Sequence, residues 1–175
     1  ADSGSVLIDI LDDDIVSSRT LGGHLFEPIA TETYTVLYDI NVDAGVNLNI
    51  AAGSTLKFDS GVALNVDGAL TADGDVGSEI RLISSAPSPS AGDWMGIVAR
   101  ISGGTRTILD HVEIAHAVRG VNLPFADDPK MTISNAVIHA QLVSIDAGLY
   151  IGGEHRAALG DQSDYCAVVD RVAVS

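Results

Sequence analysis

The strongest constraint on the fold is the stretch VNLNIAAGSTLKFDSGVALNVDGALTADG, Val46 to Gly74, in which nearly every second residue is apolar. Successive side chains of a β-strand point to opposite faces of a sheet, so this spacing predicts short strands with one buried face. Glycines separate the runs at short intervals, where corners need a positive φ or a close backbone approach. The rhythm extends from Tyr34 to Ser84, and nothing in this region shows helical spacing.

Two all-β arrangements can contain such strands. One is an antiparallel sandwich, and the other is a parallel solenoid in which each strand stacks on its equivalent one turn later. The stretch contains no Asn-Gly hairpin turn, and the pair Asp67-Gly68 has a spacing that suits a bend as well as a reversal. The lack of hairpin signals favours the solenoid.

An internal match supports the same choice. The segment LDHVEIAHAVRGVNL overlays ISNAVIHAQLVSIDA without a gap. The overlay places Leu109 on Ile133, Ile114 on Ile138 and Val121 on Ile145. An offset of 24 residues is about the length of one turn that has three strands and three corners.

A longer run, from Gly53 to Val121, carries several motifs in a definite order. A strand STLKF follows an AAG corner, LNVDGALTADG comes next, EIRLIS leads into a loop ending GDWMGI, and LDHVEIAHAVRGV opens a further turn. In these motifs the chain resembles the right-handed parallel β-helix domains of secreted and surface-anchored bacterial and archaeal proteins. The resemblance implies an all-β fold, a single-stranded right-handed parallel β-helix of about five to six rungs with N- and C-terminal caps. It implies the architecture of pectate lyases without their catalytic motifs.

The chain divides into three parts within one domain, for which 175 residues are enough. We predict an N-terminal cap or edge segment over residues 1–33, β-helix rungs over residues 34–148 and a closing segment over residues 149–175. In the cap, SVLIDIL alternates like a strand, and the following IVSSRTLGGHLFEPIATET is predicted to be irregular because glycine and proline interrupt it. The final AVVDRVAVS is predicted to be a closing strand or a cap.

The charge balance restricts the partners. Nine basic and 24 acidic residues give a formal charge of −15, which repels nucleic acid phosphates and anionic lipid headgroups. No apolar run has the length of roughly 18 to 20 residues that a transmembrane helix requires. The single cysteine, Cys166, excludes an internal disulfide framework and a multi-cysteine zinc site, and is interpreted as a small hydrophobe. The opening ADSGS fits a mature terminus after signal cleavage, so we expect an extracellular or cell-surface location.

A catalytic site is not indicated. Enzymes of the β-helix family need carboxylates clustered on one sheet face, but the acidic residues here stand beside glycines, where turn chemistry explains them. These residues are Asp59, Asp67, Asp73 and Asp75. The overlay places no histidine on another, as a ladder of metal ligands would require: His111 meets Asn135 and His116 meets Ala140. No HExxH or GxSxG motif occurs, so an enzyme is the less favoured interpretation and no catalytic residue is assigned.

Several residues are candidates for binding. The Pro- and Ser-rich loop SSAPSPSAGD ends at Asp93 and is followed by Trp94, which either covers the base of the loop or stacks on a ligand. A second outward loop, LPFADDPK, contains Asp127 and Asp128. Calcium is the ion that carboxylates at glycine-rich corners would suit, and Asp12, Asp13 and Asp14 are candidates by composition, with a solvated turn as the alternative. No cofactor is required.

These observations favour a non-enzymatic extracellular β-helix, a structural or adhesive module that associates with itself or with other surface proteins. The ends of a solenoid expose strand edges, so poor caps predict end-to-end association into fibres. The apolar positions of SVLIDIL, which are Val6, Ile8 and Ile10, can complete a neighbour's sheet, or the segment can cap its own chain. The alternative function is a glycan-binding or glycan-cleaving domain, which requires Trp94, Tyr150 and Asp93 or Asp128 to converge on one groove.

Overall fold

A computed structural model describes residues 18–25, 28–100, 106–123, 130–139, 149–151, 167–170 and 173–174. Sixteen strands and no helix occur among these residues. The strands are β1 Ser18–His24, β2 Thr33–Val42, β3 Asn47–Ile50, β4 Thr55–Phe58, β5 Ala63–Val66, β6 Ala69–Asp73, β7 Ile80–Ser84, β8 Gly96–Ala99, β9 Arg106–Asp110, β10 Val112–Ala115, β11 Val121–Leu123, β12 Lys130–Ser134, β13 Val137–His139, β14 Leu149–Ile151, β15 Ala167–Asp170 and β16 Ala173–Val174.

The strands form three parallel series, in each of which a strand pairs with the third strand further along the chain. The first series is β4, β7, β10, β13 and β16, the second is β5, β8, β11 and β14, and the third is β3, β6, β9, β12 and β15. The long strand β2 joins the first two series, because its first half pairs with β4 and its second half with β5. One strand from each series in turn makes up a circuit. The prediction of an all-β chain with parallel strands is therefore confirmed.

The alternating residues of the strands form the core. The inward positions are in register from circuit to circuit, so that Ile40, Leu64, Ile97 and Val121 form one column of buried aliphatic side chains in the second series. Each such side chain contributes about 1.5–3 kcal/mol when it is removed from water. The sequence has few aromatic residues, so layers of this kind fill most of the core, together with the stacked pair Phe58 and Trp94 and the buried Tyr34.

Two of the three pairs predicted by the internal overlay are confirmed. Leu109 pairs with Ile133, and Ile114 pairs with Ile138. The third is wrong, since Val121 pairs with Leu149, four residues beyond the expected Ile145. The reason is that the segments joining the first and second series differ in length between circuits, whereas an overlay without gaps assumes that they do not.

Among the residues that the structure describes, three other than glycine have a positive φ: His116, at +65°, follows β10, and the other two share one corner. His111 and Asn135, which the overlay placed together, both have a φ of +48° at the junction between the third and first series. Non-glycine residues seldom adopt this left-handed conformation, although Asn and His do so more often than most. The carbonyl of His111 lies close to Gly74 of the preceding circuit, where a Cβ atom would be only 2.7 Å from that oxygen. The backbone at this corner is therefore closely stacked.

The N-terminal segment contains a strand where irregular structure was predicted. Strand β1 pairs in parallel with both halves of β2, with a register shift between Leu21 and Gly23. Gly22 lies at this shift, and it allows the strand to bulge instead of ending it. A Cβ atom on Gly22 would be only 2.9 Å from Cβ of Tyr38, so a larger residue would not fit there. At the other end, β15 and β16 pair with β12 and β13, in agreement with the closing-strand alternative.

Several predicted residues lie outside the described part of the chain, so their assignments stay predictions. They are Val6, Ile8, Ile10, Asp12, Asp13, Asp14, Asp127, Asp128 and Cys166.

Candidate functional site

The loop that joins β7 to β8 holds two of the predicted ligand-binding residues. Trp94, at its end, is fully buried, and its ring stacks on Phe58 with a centroid separation of 4.1 Å and an interplanar angle of 10°. The indole Nε1 donates a hydrogen bond of 2.8 Å to the carbonyl oxygen of Ala115. This burial favours the interpretation that Trp94 covers the base of the loop over the interpretation that it stacks on a ligand.

The carboxylate of Asp93 holds the loop closed. Its Oδ2 accepts hydrogen bonds of 2.7 Å from Ser84 Oγ and 2.9 Å from the backbone N–H of Ser90, and its Oδ1 accepts one of 2.8 Å from Ser90 Oγ. The Ser90 N–H bond is the largest cause that lowers the pKa of Asp93, and the two serine hydroxyls add to it. Asp93 therefore has an internal structural partner at each oxygen, which makes it a clip for the loop and not a free ligand group.

A second carboxylate supports the same loop from the preceding circuit. Asp59 Oδ1 accepts bonds from the backbone N–H of Ser60 and, at 3.4 Å, from Ser85 Oγ. The backbone adds to this anchorage, because Gly61 N–H donates to the Asp93 carbonyl at 2.8 Å. Both ends of the loop are thus fixed, while the residues of its apex, from Pro87 to Ala91, are exposed. The sequence prediction that Ser84 to Asp93 leaves the strand and projects outward agrees with this geometry.

Several polar side chains of the outer surface connect one circuit to the next. In the second series Ala63 N–H donates to Asp39 Oδ1 at 2.9 Å, and Asn65 Nδ2 donates to Asn41 Oδ1 at 3.1 Å. In the third series Thr71 Oγ1 donates to Asn47 Oδ1 at 3.3 Å. The partners in each pair are 24 residues apart, so these bonds run parallel to the backbone ladder and add to it.

The acidic residue at the His111 corner has the same role. Asp110 Oδ1 accepts hydrogen bonds of 2.9 Å from Ser134 Oγ and 2.8 Å from Asn135 Nδ2, both in the following circuit. His111 Nδ1 lies 3.2 Å from the same oxygen but without the geometry of a hydrogen bond. Burial raises the pKa of Asp110, but the bonds from Asn135 and Ser134 outweigh it, so the pKa lies below its ordinary value.

The largest group of charged side chains lies on the first series. Glu113 is flanked by Arg81 of the preceding circuit, with Nε at 2.9 Å, and by His139 of the following circuit, with Nε2 at 3.0 Å. The His139 ring is perpendicular to that of His116, with a centroid separation of 6.0 Å. Within the described ranges, no three His, Cys, Asp or Glu side chains are placed to hold a metal ion. The carboxylate of Glu113 thus links three circuits.

The sequence did not single out three exposed apolar residues. Tyr38 is 72% exposed, and Leu37 and Met95 are about half as exposed. Tyr150, named as part of a groove, lies on β14 and pairs through its backbone with Asn122.

Comparisons with known proteins add no family. No family model, curated protein or solved structure matched the chain. The described part of the chain has no helix with the length and apolar character that a membrane crossing needs.

Proposed function

We propose that this chain is a non-enzymatic structural or adhesive module, built as a single right-handed parallel β-helix and placed outside the cell or on its surface. The observation that carries the proposal is the use of polar side chains. Hydrogen bonds accepted by Asp39, Asn41, Asp110 and Glu113 join residues 24 to 26 positions apart, one circuit from the next. In an enzyme we would instead expect titratable side chains to be brought together in one pocket.

The strand order supports the β-helix. Each series gains one strand per circuit, and all pairings between named strands are parallel, so successive circuits of one continuous chain account for the order without a reversal. A right-handed path is the expected one, because crossovers between parallel strands are right-handed in about 98% of cases. Variation in circuit length is confined to the connections, as in the long loop after Ser84.

The carboxylates and the tryptophan that suggested ligand binding also favour a structural role. Asp93 clips a loop, Asp59 supports it, and Trp94 fills the core beneath it. If these three side chains turned outward to bind a ligand, the fold would lose the hydrogen bonds of the carboxylates and the burial of the indole. This argument favours the structural module over the glycan-binding or glycan-cleaving alternative.

We expect such a module to act by self-association. A stack of parallel strands ends in unpaired N–H and C=O groups, which need a cap or another chain. We propose that Val6, Ile8 and Ile10 supply a strand to the end of a neighbouring molecule, and that the fibre or oligomer formed in this way is the functional unit. The acidic side chains Asp12, Asp13 and Asp14 follow that strand, which makes calcium a candidate to promote the contact.

Electron microscopy and light scattering of the purified protein, each with and without calcium, test the proposal. We expect fibres or defined oligomers, and a monomer after deletion of Ala1 to Leu11. The matched control replaces Leu7 and Asp9, which have the opposite strand parity, by serine and should still assemble. A monomer in all conditions contradicts end-to-end assembly. Binding and cleavage by that monomer in a glycan panel would then support the alternative function.

A further inference from the structure

The four serines of the segment SSAPSPSAGD, which begins with the last residue of β7, have different surroundings. Three hydroxyl groups donate to a carboxylate: those of Ser84 and Ser90 to Asp93, and that of Ser85 to Asp59. Ser88 Oγ makes no hydrogen bond within the part of the chain that the structure describes. Its hydroxyl is therefore the one in this loop that contributes nothing to holding the loop in place.

Ser88 also lies in the exposed part of the loop. It stands between Pro87 and Pro89, and all residues from Pro87 to Ala91 are exposed. The chain bends over residues 86–88, and each proline ring fixes its own φ, so the bend has little freedom. Asp93 holds the end of the loop by hydrogen bonds, and Trp94 is buried next to it. Ser88 is therefore exposed to solvent in a loop whose base is fixed.

We propose that Ser88 is an acceptor site for an O-linked sugar. Segments rich in serine and proline are the compositional type that carries O-glycans on extracellular proteins. The inference rests on the proposed location outside the cell. In the reaction Ser88 Oγ attacks the anomeric carbon of a sugar whose leaving group is a phosphate ester. The Oγ–carbon bond forms, the carbon–oxygen bond to phosphate breaks, and the hydroxyl proton passes to a base of the transferring enzyme.

The charge of the loop distinguishes a sugar from a phosphate. The segment SSAPSPSAGD contains no Lys or Arg, and the carboxylates of Asp93 and Asp59 lie at its base. A phosphate would add about 1.5 to 2 negative charges beside these groups, in a protein whose formal charge is already −15. A neutral sugar adds none. Because Ser88 makes no internal hydrogen bond, its modification also leaves the clip and the core unchanged.

Peptide mass spectrometry of the protein isolated from the cells that produce it tests the assignment. We expect a sugar on the peptide that contains Ser88, its complete loss in Ser88→Ala and its retention in Ser90→Ala, whose serine is equally exposed but bonded to Asp93. An unmodified Ser88, a sugar on Ser85 or Ser90 instead, or a phosphate on Ser88 overturns the proposal.

Fractionation of the same cells separates this inference from the proposed function. If the protein is found outside the cell with Ser88 unmodified, the sugar site alone is wrong. If the protein is found inside, the extracellular module is wrong as well. Equal melting temperatures of the Ser88→Ala and unmodified proteins would agree with a loop that folds without the sugar.

Discussion

Replacing Gly96 by alanine tests the stacking of circuits at the point where it is closest. Gly96 begins β8 with a φ of +96°, and a Cβ atom built on it would overlap the carbonyl oxygen of Arg119 in the following circuit. That oxygen belongs to the backbone, so it can move only if β11 moves with it. The bond from Ile97 N–H to the Gly120 oxygen, 3.0 Å long, is next to the overlap and would be strained.

The expected cost has three parts. A left-handed φ costs a residue with a Cβ atom about 1–2 kcal/mol, overpacking adds about 1–3 kcal/mol, and a buried backbone group that loses its partner adds about 1–3 kcal/mol. We therefore expect Gly96→Ala to lower the free energy of unfolding by roughly 3–8 kcal/mol. This is a large share of the about 5–15 kcal/mol of a typical domain.

Two further glycines separate the contributions. Gly61 has a φ of +75° and nothing within 4 Å of a built Cβ, so Gly61→Ala should cost only the backbone part, about 1–2 kcal/mol. Gly68 lacks a positive φ, but its Cβ would overlap the carbonyl oxygens of Asp43 and Val46. Urea denaturation followed by circular dichroism measures all three variants. If Gly96→Ala costs no more than Gly61→Ala, then Arg119 does not lie against Gly96 and the register of β8 with β11 is wrong.

Three other predictions concern single side chains. Thr107 is fully buried, and its Oγ1 has no partner in the described residues. We therefore expect Thr107→Val to raise the free energy of unfolding, measured by urea denaturation, by about 1–3 kcal/mol. The control Thr71→Val removes a hydrogen bond to Asn47 and should not stabilise the protein. Because the folded pKa of Asp93 is lowered, its contribution is present above the ordinary carboxyl value of 3.8 and lost as pH falls through the folded value. Asp93→Asn should therefore lower the melting temperature at pH 7 but not in strong acid, and a constant difference across pH would contradict the clip. Trp94, the single tryptophan, should resist quenching by iodide in the native protein and become quenched in urea, and quenching in the native state would contradict its burial.

Local patterns were sufficient to predict the strands and many of their corners. The alternation in STLKF and LNV corresponds to β4 and β5, because the exposed and buried faces of a strand leave a period of two in the sequence. The overlay predicted two correct pairs, since equivalent core positions one circuit apart face the same environment. The same reasoning failed at Val121, where the length of an outer connection shifted the register.

The roles of polar residues could not be predicted in the same way. Asp93 and Trp94 stand next to each other in an apparent surface loop, and composition alone leaves both ligand binding and structural support open. The decision depends on Phe58 and Ala115, which are distant in the sequence and lie against Trp94 only when the circuits stack. Likewise, the sequence predicted irregular structure at β1, because glycines interrupt the segment. The role of Gly22 is explained only by its contact with Tyr38 of the following strand.

The sequence by itself thus determined a parallel all-β chain with aliphatic layers, because the period of the apolar residues and the glycines between them are local properties. Only the tertiary structure decided which side chains remain free. Hydrogen bonds across 24 to 26 residues occupy Asp39, Asp110 and Glu113, and nearer ones occupy Asp93, but none reaches Ser88. The physical reason is that a hydrogen bond depends on the distance between two atoms in space, which residues this far apart acquire only when successive circuits pack together.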